Sequence, residues 1–263
     1  MEIRNKAGDR IDPKTKRIGH PFLWKEEIDS TNEELKRLAA KGAVHGTVFC
    51  ADHQNKGKGR RGRSWDSPKG ENIYLSILLR PEMEPSQAPM LTLLCAVSAA
   101  KALEETTGAA CQIKWPNDLV LQGRKVCGIL TEMSTGAEGI RYVIVGIGIN
   151  VNRNIFPEEI ASMAGSVQAG QGKTAIIEAF LFQFEKQYEL FEKEKTCRPF
   201  LNEYNQRLVN IGKQVQILSE GERKIRISYG IDEGGALIVA DEYGKKEKII
   251  SGEVSVRGLY GYV

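Results

Sequence analysis

Residues 111–150 read CQIKWPNDLVLQGRKVCGILTEMSTGAEGIRYVIVGIGIN. Runs rich in Val, Ile and Leu alternate there with turn residues, and the spacing predicts strands over 111–115, 118–121, 125–134 and 140–150. Gly123 turns the second into the third, and Thr-Gly-Ala-Glu-Gly turns the third into the fourth. Upstream, strands are predicted over 47–52 and 72–80, the latter stopped by Pro81, and a long helix over 86–107 stops at Gly108. At Ser30-Thr31-Asn32-Glu33 a hydroxyl precedes a carboxylate by three residues, the capping-box pattern, and Leu35, Leu38 and Ala39 then share one helical face up to Gly42. Before it, Pro21-Phe22-Leu23-Trp24 starts an extended segment behind a charged lead-in without periodicity.

Downstream, Ile177, Phe180, Leu181, Phe184, Tyr188 and Phe191 keep one apolar face over a helix at 174–195, and a short helix follows at 199–208. From Gly212 the composition changes to short strands at 215–218, 224–228, 236–240, 248–250 and 254–256, separated by glycine-containing turns, which implies a small β-barrel. The fold class is therefore α+β, a β-sheet with helices followed by a small barrel. Its divisions are a lead-in at 1–21, a main domain at 22–210 and a C-terminal domain at 211–263.

Hydrophobic residues make up 41% of the 263 and charged residues 27%, ordinary globular usage that argues against wholesale disorder. The 37 Lys and Arg against 34 Asp and Glu leave +3, too little to mark the whole chain as a binder of nucleic acid or membrane surface, so any basic site is local. The N-terminus has no apolar run of a secretory signal, and the most apolar stretch, 88–103, is too short for a membrane span and carries Pro89, Thr92, Ser98 and Lys101. Cys50, Cys95, Cys111, Cys127 and Cys197 include no CxxC pair and read as core thiols of a cytoplasmic protein, with no metal site expected. His20, His45 and His53 read as surface polar residues, His53 alone adjoining a segment of chemical interest.

That segment is Gln54 to Trp65, QNKGKGRRGRSW, with Lys56, Lys58, Arg60, Arg61 and Arg63, three glycines and no acid. Glycine lets backbone N–H groups approach a ligand, guanidinium groups fork onto phosphate or carboxylate, and Trp65 can stack on a base. Unliganded, its cations repel, which predicts a loop that orders on an anion. A solvated basic loop or nucleic-acid patch fits the composition equally well. The turn Lys114-Trp115-Pro116-Asn117-Asp118, taken alone, is explained by turn chemistry. Gly146 and Gly148 lack the third glycine and the following helix of a dinucleotide fingerprint and instead permit close approach to a strand. No GxxxxGK[ST], HExxH or GxSxG occurs.

Together and in this order, Ser30-Thr31-Asn32, GKGRRGRSW (Gly57 to Trp65), KWPND (Lys114 to Asp118), Lys125 and GIGINVN (Gly146 to Asn152) resemble biotin protein ligases. The resemblance covers residues 22–263 and implies a mixed sheet related to class II aminoacyl-tRNA synthetases, the biotin–lipoate ligase fold, followed by an SH3-like domain. It implies that biotin and ATP, with Mg2+, give biotinyl-5′-adenylate and pyrophosphate, and that biotin then passes to a lysine of a biotin carboxyl carrier domain of a carboxylase. It places Ser30, Thr31, Asn32 and Gln54 on the biotin head, and Gly57, Lys58, Gly59 and Arg60 over the biotin carboxylate and α-phosphate. Lys125 falls on the reacting carboxylate, where with Arg60 and Arg63 it offsets the charge of two anions. Trp65 falls on adenine, and Arg61, Lys114, Asn117 and Asn150 on the nucleotide. Asp118 matches the position of a proton acceptor in the second half-reaction.

Lys58 departs from the more frequent GRGRRGR by replacing an arginine. Family members that also repress transcription carry an N-terminal winged helix-turn-helix domain; here the match starts at residue 22, so no specific DNA binding is expected, and Asp12 to Gly19 looks like the linker after such a domain. Relatives also pair between subunits, and an edge strand near 140–150 makes a homodimer the expectation to test. The rivals are a lipoate or octanoate transferase of related fold, which lacks the combination of GRRGRxW with KWPND, and a single-stranded nucleic-acid module built on the basic loop, which leaves Lys114 to Asp118, Lys125 and Asn150 unexplained.

Overall fold

Seven strands form one mixed sheet: β1 (Phe22–Ile28), β2 (Val48–Gln54), β3 (Ile73–Leu79), β4 (Gln112–Lys114), β5 (Asp118–Leu121), β6 (Arg124–Gly136) and β7 (Gly139–Ile149). Their order is β1-β2-β3-β7-β6-β5-β4 in a computed structural model that describes residues 11–169, 172–219, 222–250 and 255–258. Only β1 and β2 run parallel, which requires a crossover, and α1 (Thr31–Ala40) supplies it. Along β2 and β3 successive side chains alternate between faces. Phe49 and Leu78 meet Leu35 and Ala39 of α1, while Val48, Cys50, Ile77 and Leu79 join the larger core on the other face.

That larger core contains α2 (Met90–Thr107) and residues of α4 (Lys173–Glu194). Nearly every α2 side chain from Met90 to Leu103 is buried, so its sequence is apolar all round, and Gly108 ends it in the left-handed conformation a Cβ would disfavour. Ile177, Phe180, Leu181, Phe184, Tyr188 and Phe191 of α4 are buried as their spacing requires. Between β7 and α4 lies the short α3 (Glu158–Ala161), and after α4 the chain forms α5 (Leu201–Arg207).

The C-terminal strands β8 (Gln214–Ser219), β9 (Glu222–Ile231), β10 (Leu237–Ala240), β11 (Lys246–Ile249) and β12 (Ser255–Gly258) form an antiparallel sheet in the order β11-β10-β9-β8-β12. It docks on the main sheet through Trp115, whose indole N–H donates to the Gly235 carbonyl at 3.2 Å, and through Asn205 of α5, whose amide accepts from and donates to the Ile231 backbone at 2.8 and 3.2 Å.

Four expectations need correction. The lead-in is folded from residue 11 onward: Ile11 and Ile18 are buried, and the backbone N–H groups of Lys16, Arg17 and Ile18 converge on the Glu185 carboxylate of α4 at 2.7, 2.7 and 2.9 Å. Side-chain acceptors hold this strap without secondary structure, so periodicity does not report it. Neither half of the capping box forms: Ser30 makes no side-chain capping bond, its N–H donates to Asp29 at 2.8 Å, and the Glu33 carboxylate turns away to Lys36 and Lys58. The strand at 140–150 is no edge: β7 lies between β3 and β6, the edge strands of the sheet are β1 and β4, and β6 runs on past β5 with its outer side unpaired beyond Ile129. His45 is half-buried against Tyr188, accepts the Arg80 N–H at 3.1 Å, and is held below the usual imidazole pKa by burial and by Arg17.

All five cysteines are free and buried, and burial pushes the thiols of Cys50, Cys111 and Cys197 up to about 12. No described helix is long and apolar enough to cross a membrane. Residues 1–10 of the lead-in and Val254 at the start of the last predicted strand lie outside the described residues.

Candidate active site

The N-terminus of α1, the ends of β2, β6 and β7, and the glycine-rich segment after β2 surround one cleft. Ser30, Thr31, Asn32, Gln54, Lys58, Gly59, Arg60, Trp65, Asn117, Lys125, Gly128, Ile129, Leu130, Gly146, Ile147 and Gly148 line it. One end is polar and uncharged. Gln54 Oε1 accepts the Thr31 backbone N–H at 2.9 Å and its hydroxyl at 3.2 Å, and Gln54 Nε2 donates to Ser67 Oγ at 3.0 Å. The Ser76 hydroxyl of β3 lies 2.7 Å from Thr31 Oγ1 and 2.6 Å from Asn32 Oδ1, and Asn32 Nδ2 donates to Glu132 at 2.8 Å. Ser30, Thr31, Asn32 and Ser76 are buried, and such groups are held by one another where water does not reach.

Gly128, Gly146 and Gly148 floor the cleft. A Cβ at Gly146 would overlap Asn32 Oδ1, and one at Gly148 would sit 2.5 Å from the Trp65 indole nitrogen, so close approach requires glycine at both.

The other end is cationic. Residues 57–65 form a tight hairpin in which Trp65 N–H donates to the Gly57 carbonyl at 2.9 Å and Gly59 N–H to that of Arg63 at 2.8 Å, with a single turn of 3-10 helix at Arg60–Gly62. Arg60 reaches across to Asn117 Oδ1 at 2.8 Å, and burial lowers its pKa. Asn117 Nδ2 in turn donates to Asp118 at 3.0 Å, and Asp118 pairs with Lys125 Nζ at 2.7 Å. Lys125 also lies 5.2 Å from the centre of the Trp65 ring, and its backbone is fixed by bonds to Met163 and Gly165 at 2.7 and 2.9 Å.

Ten of the expected site residues line the cleft: Ser30, Thr31, Asn32, Gln54, Lys58, Gly59, Arg60, Trp65, Asn117 and Lys125. Asp118 reaches it through Lys125. Gly57 is buried at the base of the hairpin, Arg61 and Arg63 are exposed on it, and Lys114 is buried on β4 in register opposite Asp118. Asn150 is buried behind the floor, with its amide donating to the Gly165 carbonyl at 3.0 Å. Trp65 lies against Gly128 and Gly148 with its indole N–H buried and unpaired.

Comparison with known proteins gives a consistent answer. The profile of the biotin/lipoate A/B protein ligase family matches residues 24–150, and that of the biotin protein ligase C-terminal domain matches 211–257. A bifunctional ligase/repressor BirA of Bacillus subtilis is 34% identical over 253 residues, 94% of this chain and 77% of its own. The chain belongs to the biotin protein ligase family. The biotin--[acetyl-CoA-carboxylase] ligase of Paracoccus denitrificans is 33% identical over 83% of this chain and 93% of that protein. A biotin protein ligase from Aquifex aeolicus, solved in complex with biotin and ATP, superposes with a TM-score of 0.78 at 34% identity, covering 90% of this chain and 98% of that one.

For this biotin protein ligase family member, sequence reading passed over Ser76 and Glu132. Ser76 left a signal, since it is the lone small polar residue in the run IYLSILL of β3, whose positions are all buried. Glu132 left none, because its partners come from α1.

Proposed function

We propose that the cleft joins biotin to ATP, releases pyrophosphate, and passes the biotinyl group of biotinyl-5′-adenylate to a lysine of a biotin carboxyl carrier domain of a carboxylase. The observation that supports this is the polarity of the cleft: fixed neutral donors and acceptors at one end, paired cations at the other, glycine between. A ureido ring presents two N–H donors and one carbonyl, which Ser30, Thr31, Asn32 and Gln54 can match. The valeryl chain then crosses the glycine floor and delivers its carboxylate to Lys125 and Arg60.

A carboxylate oxygen bonds to the α-phosphorus of ATP and the bond to the bridging oxygen of pyrophosphate breaks. Two anions must meet, so the work is positioning and charge compensation, for which no enzyme nucleophile is needed. The backbone of Gly57 to Gly59 covers the reacting groups, Arg63 and Arg61 meet the phosphates, and Trp65 covers the adenine. Lys114, Asn117 and Asn150 fix the nucleotide end. Lys125 exchanges Asp118 for the substrate carboxylate, so that Asp118 can accept a proton from the incoming carrier lysine as its amine bonds to the biotinyl carbonyl carbon and the bond to AMP breaks.

Among the described residues no group of three or more His, Cys, Asp or Glu is placed to hold a metal ion. Magnesium would enter as the counter-ion of the triphosphate, a part of the substrate. Five free buried thiols suit a reducing cytoplasm, and a second copy would pair along the outer side of β6.

The test is incubation with magnesium, ATP and biotin, with lipoate and octanoate in parallel, followed by pyrophosphate release and the intact mass of an added carrier domain. One biotinyl addition with biotin alone is expected. A signal with lipoate or octanoate instead would make the chain the related acyltransferase, and silence with all three would overturn the ligase reading.

A further inference from the structure

The basic hairpin is held against the cleft from two sides. On one side Arg60 donates to Asn117. On the other, Lys58 Nζ lies 2.6 Å from Glu33 Oε1 on the first turn of α1. The same carboxylate oxygen takes Lys36 Nζ at 2.8 Å, Lys36 reaches Glu132 at 2.6 Å, and Glu132 accepts the Asn32 amide at 2.8 Å. A chain of alternating charge thus runs from the hairpin, Lys58–Glu33–Lys36–Glu132, to Asn32 in the polar wall.

An isolated surface pair of this exposure contributes little, but this one is part of a network, its carboxylate sits at a helix N-terminus that favours negative charge, and it neutralises a segment whose cations otherwise repel. The two lysines, Lys36 first, hold the Glu33 carboxyl below its usual pKa, so it stays ionised across the neutral range. At residue 58 a single charge on a flexible stem drops onto one carboxylate oxygen, a contact that needs a cation there and no bidentate fork.

We infer that Glu33 is a positioning residue, a latch that fastens the hairpin through Lys58 and so sets how readily the cleft opens to take up biotin and release the adenylate. This rests on the ligase reading for its kinetic consequence, while the fastening itself is a property of the free protein.

The test uses the full chain with Glu33→Gln, Lys58→Met, the double variant, and Lys58→Arg as the conservative control. In the ligand-free proteins, amide hydrogen exchange over residues 57–65 should quicken about three- to tenfold in Glu33→Gln and Lys58→Met and stay at the wild-type rate in Lys58→Arg. In biotin-dependent pyrophosphate release, Glu33→Gln should raise the KM for biotin about three- to tenfold with kcat within about twofold. In the exchange measurement the double variant should be no worse than the single ones, since the partners share one interaction.

Unchanged exchange in both single variants, or effects that add in the double, would overturn the latch. Lys58→Met, altered in the hairpin and not in a helix, decides the case should Glu33→Gln prove unstable. Failure of the wild-type protein to use biotin would sink the ligase reading and the kinetic consequence with it, and the exchange measurement would still decide whether Glu33 fastens the hairpin.

Discussion

The two ends of the cleft are built on opposite principles. At the polar end, Thr31, Asn32, Gln54 and Ser76 satisfy one another from three neighbouring elements, and the geometry is complete once the sheet and α1 have formed. At the cationic end, Lys125, Arg60 and Lys58 are paired with Asp118, Asn117 and Glu33, all side chains of the chain itself. Recognition of an uncharged ring wants preorganised hydrogen bonds. Recognition of anions wants cations that are neutralised when empty and exchange their partners when the ligand arrives, because an unpaired buried charge is costly. The difference teaches that one end is read out of the fold, and the other out of the fold plus its ligand.

This contrast can be broken at either end. Gly146→Ala puts a methyl group into Asn32 Oδ1. Overpacking of about 1–3 kcal/mol should weaken biotin binding by about five- to 150-fold, measured by calorimetric titration; unchanged affinity would remove the head from this end. Ser76→Ala takes the shared hydroxyl from Thr31 and Asn32 and should weaken biotin by about fivefold, roughly 1 kcal/mol, with no effect on the KM for ATP. A matching loss for ATP would mean that the two ends are not separate.

A third variant tests a region remote from both ends. Burial pushes the Glu185 carboxyl up, but the N–H groups of Ile18, Lys16 and Arg17 outweigh it and hold the pKa below its usual value. The stabilisation is therefore present above the unfolded-state value of about 4.3 and is lost as pH falls through the folded value. Glu185→Gln should cost about 1–2 kcal/mol at neutral pH by denaturant unfolding, with a shallower loss of stability below about pH 4 than wild type, and should leave the KM for biotin unchanged. A stability equal to wild type at neutral pH would show that the strap at residues 12–18 is not held by this carboxylate.

The meander at 111–150, the buried helix at 90–107, the amphipathic helix at 173–194 and the small C-terminal sheet were all legible, because periodicity and turn residues encode them locally. At the cleft, the glycines and cations of 57–63 are chemically conspicuous by composition, whereas the turn at 114–118 taken alone reads as turn chemistry and is singled out only by the resemblance. What escaped is whatever depends on partners distant in sequence. The clip of Glu185 on the strap spans more than 160 positions, the Asn32–Glu132 bond spans 100, and the departure of Glu33 from its capping role depends on Lys58. The order of strands, which places β7 between β3 and β6 and lets β6 run on past β5, is likewise a property of the assembled sheet.

The central claim is that anions are handled at the Lys125 end while the biotin head is held apart from it. Lys125→Ala should therefore separate binding from chemistry. The direct measurement is biotin-dependent exchange of pyrophosphate into ATP, run beside a biotin titration of the same variant. The account predicts that exchange falls by about a hundredfold or more while biotin binding stays measurable. Wild-type exchange in the variant, or loss of binding to the same degree as exchange, would contradict it.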